Sequence, residues 1–378
     1  MSKIAAMRPG GEDRGTSPVG GQHSAVLVVG MHRSGTSAVT RMLNLLGCAA
    51  PATPLPDTAG NPTGHWESQP IVDLNDRVMA AFDLSWFDWA GLPPDWPAGA
   101  LWQTFAGEAR GLLDQEFGAA PLFVLKDPRL CQLLPGWRAL LADGGTATRV
   151  VMPLRHPTEV ARSLAARDGM DRSAAYLLWL RYTLEAERAS RGLPRIILPY
   201  DHLLADWRDV AVRVSEALAI AWPRAIDEVA AEIDGFLSPA ARHHLANDQT
   251  PTADAAAFGW VDRVYGALQP AGATAGHPPD TATLDAVRAE LDAATPVFAR
   301  PVQIGHHALM QVHELRQRLD RLDSAVTDLR ADRDVLSDRI DTVYASTSWQ
   351  VTRPLRAGAR VARRIRRGAV GILTGRDR

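Results

Sequence analysis

One stretch restricts the fold before anything else does. Ala25-Val26-Leu27-Val28-Val29 runs straight into Gly30-Met31-His32-Arg33-Ser34-Gly35-Thr36-Ser37. A short, uninterrupted apolar run rich in β-branched residues reads as a strand buried on both faces. Gly30 and Gly35 stand at the spacing of a phosphate-cradling loop. A nucleoside-triphosphate site would follow the second glycine with Lys-Ser or Lys-Thr, whereas Thr36-Ser37 follows here. Backbone N–H groups and the N-terminus of the next helix still suit an anion. The missing lysine leaves open which phosphate-bearing ligand the loop holds.

Three further runs share the character of the first: Leu122–Leu125, Arg149–Leu154 and Arg195–Leu198. Helical patterns separate them. Thr36–Leu46, for example, puts Val39, Met42, Leu43 and Leu46 on one face and stops at Gly47. Strands alternating with helices predict an α/β fold with a doubly wound parallel sheet, a three-layer sandwich carrying a P-loop. Ligands of such sheets sit at the carboxyl ends of the strands.

Each strand end is followed by polar residues. Arg33 follows the first, Lys126-Asp127-Pro128-Arg129 the second, Arg155-His156-Pro157 the third and Tyr200-Asp201 the fourth. Cations at three neighbouring strand ends predict a strongly anionic ligand; the plainer alternative is helix caps and surface ion pairs. Pro157 suits the first turn of a helix, which carries Ser163 under two turns onward. Arg155 and Ser163 are then expected to clamp one phosphate, separate from the Arg33 loop. Two phosphate sites on one sheet imply a nucleotide phosphorylated at both ends.

R-S-G-T-S after the first strand, with R-x-P-x5-S after a later one, resembles sulfotransferases that use 3′-phosphoadenosine 5′-phosphosulfate (PAPS). By that resemblance Arg33, Ser34, Gly35, Thr36 and Ser37 hold the 5′-phosphosulfate, and Arg155 and Ser163 hold the 3′-phosphate. Lys126-Asp127-Pro128 is similar to the run after a central strand of tyrosylprotein sulfotransferases. Tyr200-Asp-His-Leu-Leu204 is similar to a Y-E-D-L segment whose Tyr lies near the nucleotide. Asn61-Pro-Thr-Gly-His-Trp-Glu67 resembles the G-[HY]-[WF]-E segment of bacterial carbohydrate-type members. The likeness covers roughly residues 24–220. Cytosolic members carry Lys in the first motif and use a His base. Arg33, with no Lys-x-His motif, places this chain nearer the Golgi-type and bacterial carbohydrate branches, whose base is commonly Glu.

Sulfuryl transfer needs cations at the leaving phosphate and a base for the acceptor hydroxyl. Arg33 and Lys126 are the candidate leaving-group cations. Lys126 is the more telling because the chain has two lysines, Lys3 and Lys126, against 39 arginines. Glu67 is the candidate base, its pKa expected to rise beside His65 and Trp66. A plain helix cap is the alternative for Glu67, and His65 the alternative base. No His/Cys/Asp cluster has metal-ligand spacing, so no metal is expected. The aromatics Phe82, Trp86, Phe87, Trp89, Trp96 and Trp102, interrupted by prolines, read as an acceptor-pocket lining or as a packing loop.

The formal charge of −2 hides an asymmetry. Residues 351–378 hold nine Arg and one acidic residue, so the main domain is acidic and nucleic acid is not expected as its partner. Two cysteines, Cys48 and Cys131, fit a reducing compartment. With no signal-like segment in 1–23 and no apolar run of roughly 18 residues, a cytoplasmic location is expected, with a contact at the inner face of the membrane. From Val312 apolar residues recur at 3,4 spacing through Leu315, Leu319, Leu322, Val326, Leu329, Leu336, Ile340 and Val343, with Arg333 in an inward a position. β-Branched residues at a with Leu at d favour a parallel two-stranded coiled coil and hence a homodimer; one helix packed back on the domain is the alternative. Ser346-Thr-Ser-Trp349-Gln-Val-Thr-Arg-Pro354 resembles the tails of bacterial enzymes that assemble surface polysaccharides. The tail's Trp349, Leu355, Val361 and Ile365 among arginines suit an interfacial helix on anionic lipid, with a tail disordered in solution as the alternative.

The expected organisation is a leader at 1–23 without order, a P-loop domain at 24–250, a connector with helices at 251–305, a coiled coil at 306–345 and a basic tail at 346–378. The expected activity is transfer from PAPS to a carbohydrate or glycolipid hydroxyl. The competing readings are a P-loop small-molecule kinase and a non-catalytic polysaccharide-assembly subunit acting through its coil.

Overall fold

The computed structural model describes residues 23–56, 64–237, 259–274 and 276–373. Most of the leader, Asn61–Thr63 of the G-H-W-E segment and the end of the expected P-loop domain lie outside them. The chain divides into a unit ending at Met310 and a second beginning at Gln311.

Four strands form the sheet: β1 (Ser24–Val28), β2 (Leu122–Lys126), β3 (Ala147–Leu154) and β4 (Arg195–Pro199). They are parallel, in the order β2-β1-β3-β4. Thirteen helices are described: α1 (Thr36–Leu45), α2 (Gln69–Ala81), α3 (Ala100–Phe117), α4 (Leu130–Asp143), α5 (Pro157–Asp168), α6 (Arg172–Ser190), α7 (Tyr200–Ala205), α8 (Trp207–Leu218), α9 (Ile226–Phe236), α10 (Gly259–Ala273), α11 (Thr281–Ala345), α12 (Thr347–Val351) and α13 (Arg353–Leu373). All four expected strands form, each within two residues of its expected start.

Alternation along the strands builds two cores. Ala25, Leu27, Leu125, Val150, Met152 and Ile197 point to one face, where Leu133, Trp137, Leu164 and Trp179 cover them. Val26, Val28, Val124, Val151, Ile196 and Leu198 point to the other, against Val39, Met42, Leu43, Val210 and Val214. Successive strand side chains face opposite ways, so a run apolar at every position is buried twice. The α/β fold with helices on both faces of a parallel sheet is therefore present.

In the stretch read as a connector, Val261, Val264 and Leu268 of α10 and Leu284, Val287 and Leu291 of α11 are buried in the first core. Ion pairs join α11 to α6 and to the residue that follows it: Arg181 of α6 meets Asp292 at 2.7 Å, and Arg191, just past α6, meets Asp285 at 2.8 Å.

β1 neighbours β2 on one side and β3 on the other, so the connections leave the sheet in opposite directions around β1 and β3. That reversal opens a crevice at the carboxyl ends of these strands. The loops following β1, β2 and β3 border it.

Candidate active site

The loop between β1 and α1 is shaped by two residues with positive φ. Gly35 has φ 85°, and the ring of Tyr200, at the start of α7, lies against it so closely that a Cβ there would come within 2.1 Å of the ring. Arg33 has φ 67°, a left-handed conformation that costs an L-residue roughly 1–2 kcal/mol. Arg155 donates from Nη1 to the Arg33 carbonyl at 3.1 Å and so helps hold that conformation. With the backbone turned this way, Arg33 donates from Nε to Ser163 Oγ on α5 at 2.7 Å. Arg155 also pairs with Glu159 at 2.7 Å, and its guanidinium lies 5.1 Å from the centre of the Tyr200 ring. Loop, β3 end, α5 and α7 thus bring Arg33, Arg155, Ser163 and Tyr200 into one cluster. The clamp expected to be separate from the Arg33 loop is in contact with it.

Lys126 ends β2 at 3 % exposure. Its Nζ forms an ion pair with Glu67, donates to the His65 carbonyl at 3.0 Å and approaches Ser37 Oγ at 3.4 Å. Ser37 Oγ donates to the same carbonyl at 3.3 Å. Glu67 itself is 5 % exposed. The cap of α2 is the next residue, Ser68, which accepts from Ile71 N at 3.3 Å. The carboxylate of Glu67 is thereby left to Lys126, and the cap alternative fails. Trp66, just before it, is left-handed at φ 59° with its ring beneath Arg41 at 4.5 Å. Burial pushes the Glu67 carboxyl above the usual range, against the pull of Lys126.

Asp127 is fully buried and bound by Asn75 at 2.8 Å and by the backbone N–H and guanidinium of Arg129, each at 3.0 Å. Arg129 also holds Asp76 at 2.9 Å through Nη2. This network fixes the turn after β2 and hence the position of Lys126. Ser34 and Thr36 are buried in the loop and at the start of α1.

His32 is a site residue that the sequence reading passed over. Its Nε2 is buried with no hydrogen-bond partner among the described residues. The ring lies 4.7 Å from that of Trp86 and 5.9 Å from that of Tyr182. Burial, then Arg167, Arg129, Lys126 and Arg33, hold its pKa well below the usual value, so the imidazole is neutral at physiological pH. The aromatic segment divides into two parts. Trp89, Trp96 and Trp102 are buried in the core, with Trp102 also 6.4 Å from Trp137. Trp86 and Phe87 are half-buried, and Trp86 lies beside His32.

Among the described residues no group of His, Cys, Asp or Glu is arranged to hold a metal ion. A cavity of about 500 Å³ lies at the sheet edge, lined by Arg195, Ile197, Arg213 and His277, and it contains none of the site residues above.

No family model and no curated protein matches the chain. Among solved structures, it is similar to the sulfotransferase domain of the Synechococcus PCC 7002 olefin synthase at 16 % identity and TM-score 0.34, over 70 % of this chain and 93 % of that one. It is also similar to the sulfotransferase domain from the curacin biosynthetic pathway at 14 % identity and TM-score 0.30, over 53 % and 75 %. A Mycobacterium tuberculosis sulfotransferase is similar at 16 % identity and TM-score 0.32, over 59 % and 74 %. The likenesses are distant, and the functional reading rests on the chain's own residues.

Proposed function

We propose that the chain is a sulfotransferase moving a sulfuryl group from PAPS to a hydroxyl of a carbohydrate or glycolipid. The observation that carries this reading is the meeting of Lys126, Glu67 and Ser37 at the end of the phosphate loop, with Arg33, Arg155 and Ser163 gathered at the same crevice. The loop and the α1 N-terminus would hold the phosphosulfate through backbone N–H groups. Arg155 and Ser163 would hold the second phosphate through charge-assisted and hydroxyl bonds.

Glu67 serves as the base. It takes the acceptor proton while the acceptor oxygen bonds to sulfur and the sulfur–oxygen bond to the 5′-phosphate breaks. The electron pair of that bond leaves on the phosphate. Lys126 and Arg33 answer the charge developing there. Lys126 stands between base and leaving group, so engaging the leaving phosphate loosens its hold on Glu67. The carboxylate then gains proton affinity at the stage where transfer needs it. Arg33 reaches the leaving phosphate by exchanging its bond to Ser163, which links occupancy of the two phosphate sites. Trp86 and Phe87 are the aromatics available to an acceptor sugar.

Calorimetric titration with adenosine 3′,5′-bisphosphate and with ATP tests the reading. Tight binding of the bisphosphate with ATP weak is the expected result. A preference for ATP would favour a small-molecule kinase, and no binding of either would favour a non-catalytic assembly subunit.

A further inference from the structure

The second unit ends in a helix that the transfer reading does not use. α13 spans Arg353–Leu373 and follows the short α12. Arg356 ties the two together: its guanidinium bonds the Trp349 carbonyl and Thr352 Oγ1 and stacks 3.6 Å above the Trp349 ring. Trp349 also meets Tyr344 edge-on at 5.1 Å. Ser346 caps α12 by accepting from Trp349 N. The corner leading into α13 is thus built from an aromatic pair and a bound arginine.

At about 100° per residue, the five arginines between Arg353 and Ile365 (Arg353, Arg356, Arg360, Arg363 and Arg364) fall within an arc of roughly 100°. Leu355, Val361, Ala362 and Ile365 lie on the opposite side. Leu355 is 75 % exposed, Val361 59 % and Ile365 66 %. No acidic residue occurs between Asp341 and Asp377. The heptad stripe of α11 ends at Val343, so this apolar face does not continue it. Among the described residues, no helix is long and apolar enough to cross a membrane.

An exposed apolar strip beneath a purely cationic arc matches the cross-section of an anionic bilayer surface, apolar below the headgroups and negative at their level. Trp349 beside the corner is suited to the same depth, with an apolar ring and one polar N–H. We infer that α13 lies in the interface of an anionic membrane, with the Leu355, Val361 and Ile365 side down and the arginines among the headgroups. This inference stands apart from the sulfotransferase reading, because no residue of the crevice takes part in it.

The test is co-flotation of the full chain with vesicles of phosphatidylcholine alone and of phosphatidylcholine with phosphatidylglycerol. Binding is expected to the anionic vesicles and to weaken as salt rises. At about 1 kcal/mol per charge, Arg360→Gln with Arg364→Gln lowers the partition constant roughly 30-fold. Leu355→Glu with Ile365→Glu removes binding while leaving the five arginines in place. Circular dichroism and thermal melting of each variant verify that the rest of the chain is folded. Equal binding to neutral vesicles would overturn the inference. So would no binding to either, or wild-type binding by the Leu355/Ile365 variant, which would mark the helix as a contact for a soluble polyanion.

Discussion

Replacing Lys126 with Met tests the heart of the site, because it removes a charge from a place where the remaining charge cannot be hydrated. Lys126 is 3 % exposed and Glu67 5 %, and the ion pair joins them directly. Breaking such a pair from one side leaves a buried, uncompensated carboxylate and costs about 3–5 kcal/mol. In a domain of this size that corresponds to a Tm lower by about 6–20 °C. The loss also depends on pH. The Glu67 carboxyl titrates above its ordinary value in the folded chain, since burial outweighs the pull of Lys126. The folded chain therefore holds a proton that the unfolded chain has released, from the ordinary value of about 4.3 up to the raised one, and stability falls as pH rises through that window. Without Lys126 the value climbs further and the window widens upward. Lys126→Met is therefore expected to lose more stability at about pH 7 than at about pH 5. Adding Glu67→Gln to it should recover most of the loss. Urea unfolding of wild type, both single variants and the double variant at the two pH values measures the coupling. Single losses that add in the double variant to within about 0.5 kcal/mol would refute the reasoning, as would a loss independent of pH.

Glu67→Gln alone is expected to lower kcat at least about a hundredfold, the usual contribution of a general base, while adenosine bisphosphate binding stays near wild type by calorimetry. In the wild type kcat should rise with pH through the Glu67 titration, since the base must be ionised, and the variant should lose that limb. Gly35→Ala drives a Cβ to 2.1 Å from the Tyr200 ring at φ 85°; bisphosphate binding should be lost, and adding Tyr200→Ala should restore only part of it because the backbone penalty remains. Ser163→Ala would remove the proposed hydroxyl contact to the second phosphate and should weaken adenosine 3′,5′-bisphosphate by roughly tenfold, while adenosine 5′-phosphate, for which Arg33 no longer has to give up its bond to Ser163, should bind no more weakly in the same titration. Leu315→Asp with Leu322→Asp puts charge on a stripe that is already 63 % and 57 % exposed on the single helix; if that stripe pairs two copies of the chain, sedimentation should show a wild-type dimer and a monomeric variant, with the melting of the first unit unaltered.

The strands were legible because a parallel sheet covered on both faces admits only apolar runs, and Ala25–Val29 and Arg149–Leu154 are such runs. Arg33, Lys126, Arg155 and Tyr200 could be singled out because each stands at or just past a strand end, where a doubly wound sheet gathers its ligands; Glu67 was singled out by the resemblance of its segment, and Ser163 by its spacing from Arg155. What they bond to could not be read in the same way. The path of the Arg33 side chain to Ser163 depends on a left-handed φ in a residue other than glycine, and residue identity carries no mark of that. His32 escaped because one histidine in a loop has no periodicity to flag it; its burial comes from Trp86 and Tyr182, distant in the chain. Other signals were present and unused. Ser68 followed by Pro70 marks a helix start and reserves the cap for Ser68 instead of Glu67. Val261, Val264, Leu268 and Leu284, Val287, Leu291 each repeat at i, i+3, i+7, a core stripe inside the segment read as a connector with helices.

The two clusters at the crevice differ in how firmly the protein holds its own cations, and that difference bears on mechanism. Arg129 has two carboxylates, Asp127 and Asp76, and its pKa is raised above the ordinary value, so it is committed to structure. Lys126 has one carboxylate, one carbonyl and a long contact to a hydroxyl. Arg33 donates to Ser163, and its pKa is lowered, first by burial and then by Arg167 and Arg155, with Asp168 pulling the other way. A cation whose charge is disfavoured by burial and by neighbouring cations gains most from an arriving anion, because the anion relieves repulsion as well as adding attraction. In the proposed transfer Arg33 is therefore expected to be the first of the three to change partner when a phosphate enters, with Lys126 following once something compensates Glu67. An acceptor hydroxyl hydrogen-bonded to the carboxylate is one such compensation. On this ordering, the proposed donor nucleotide would engage the Arg33 side of the crevice first, and Lys126 would be released toward the leaving group when the acceptor is also in place.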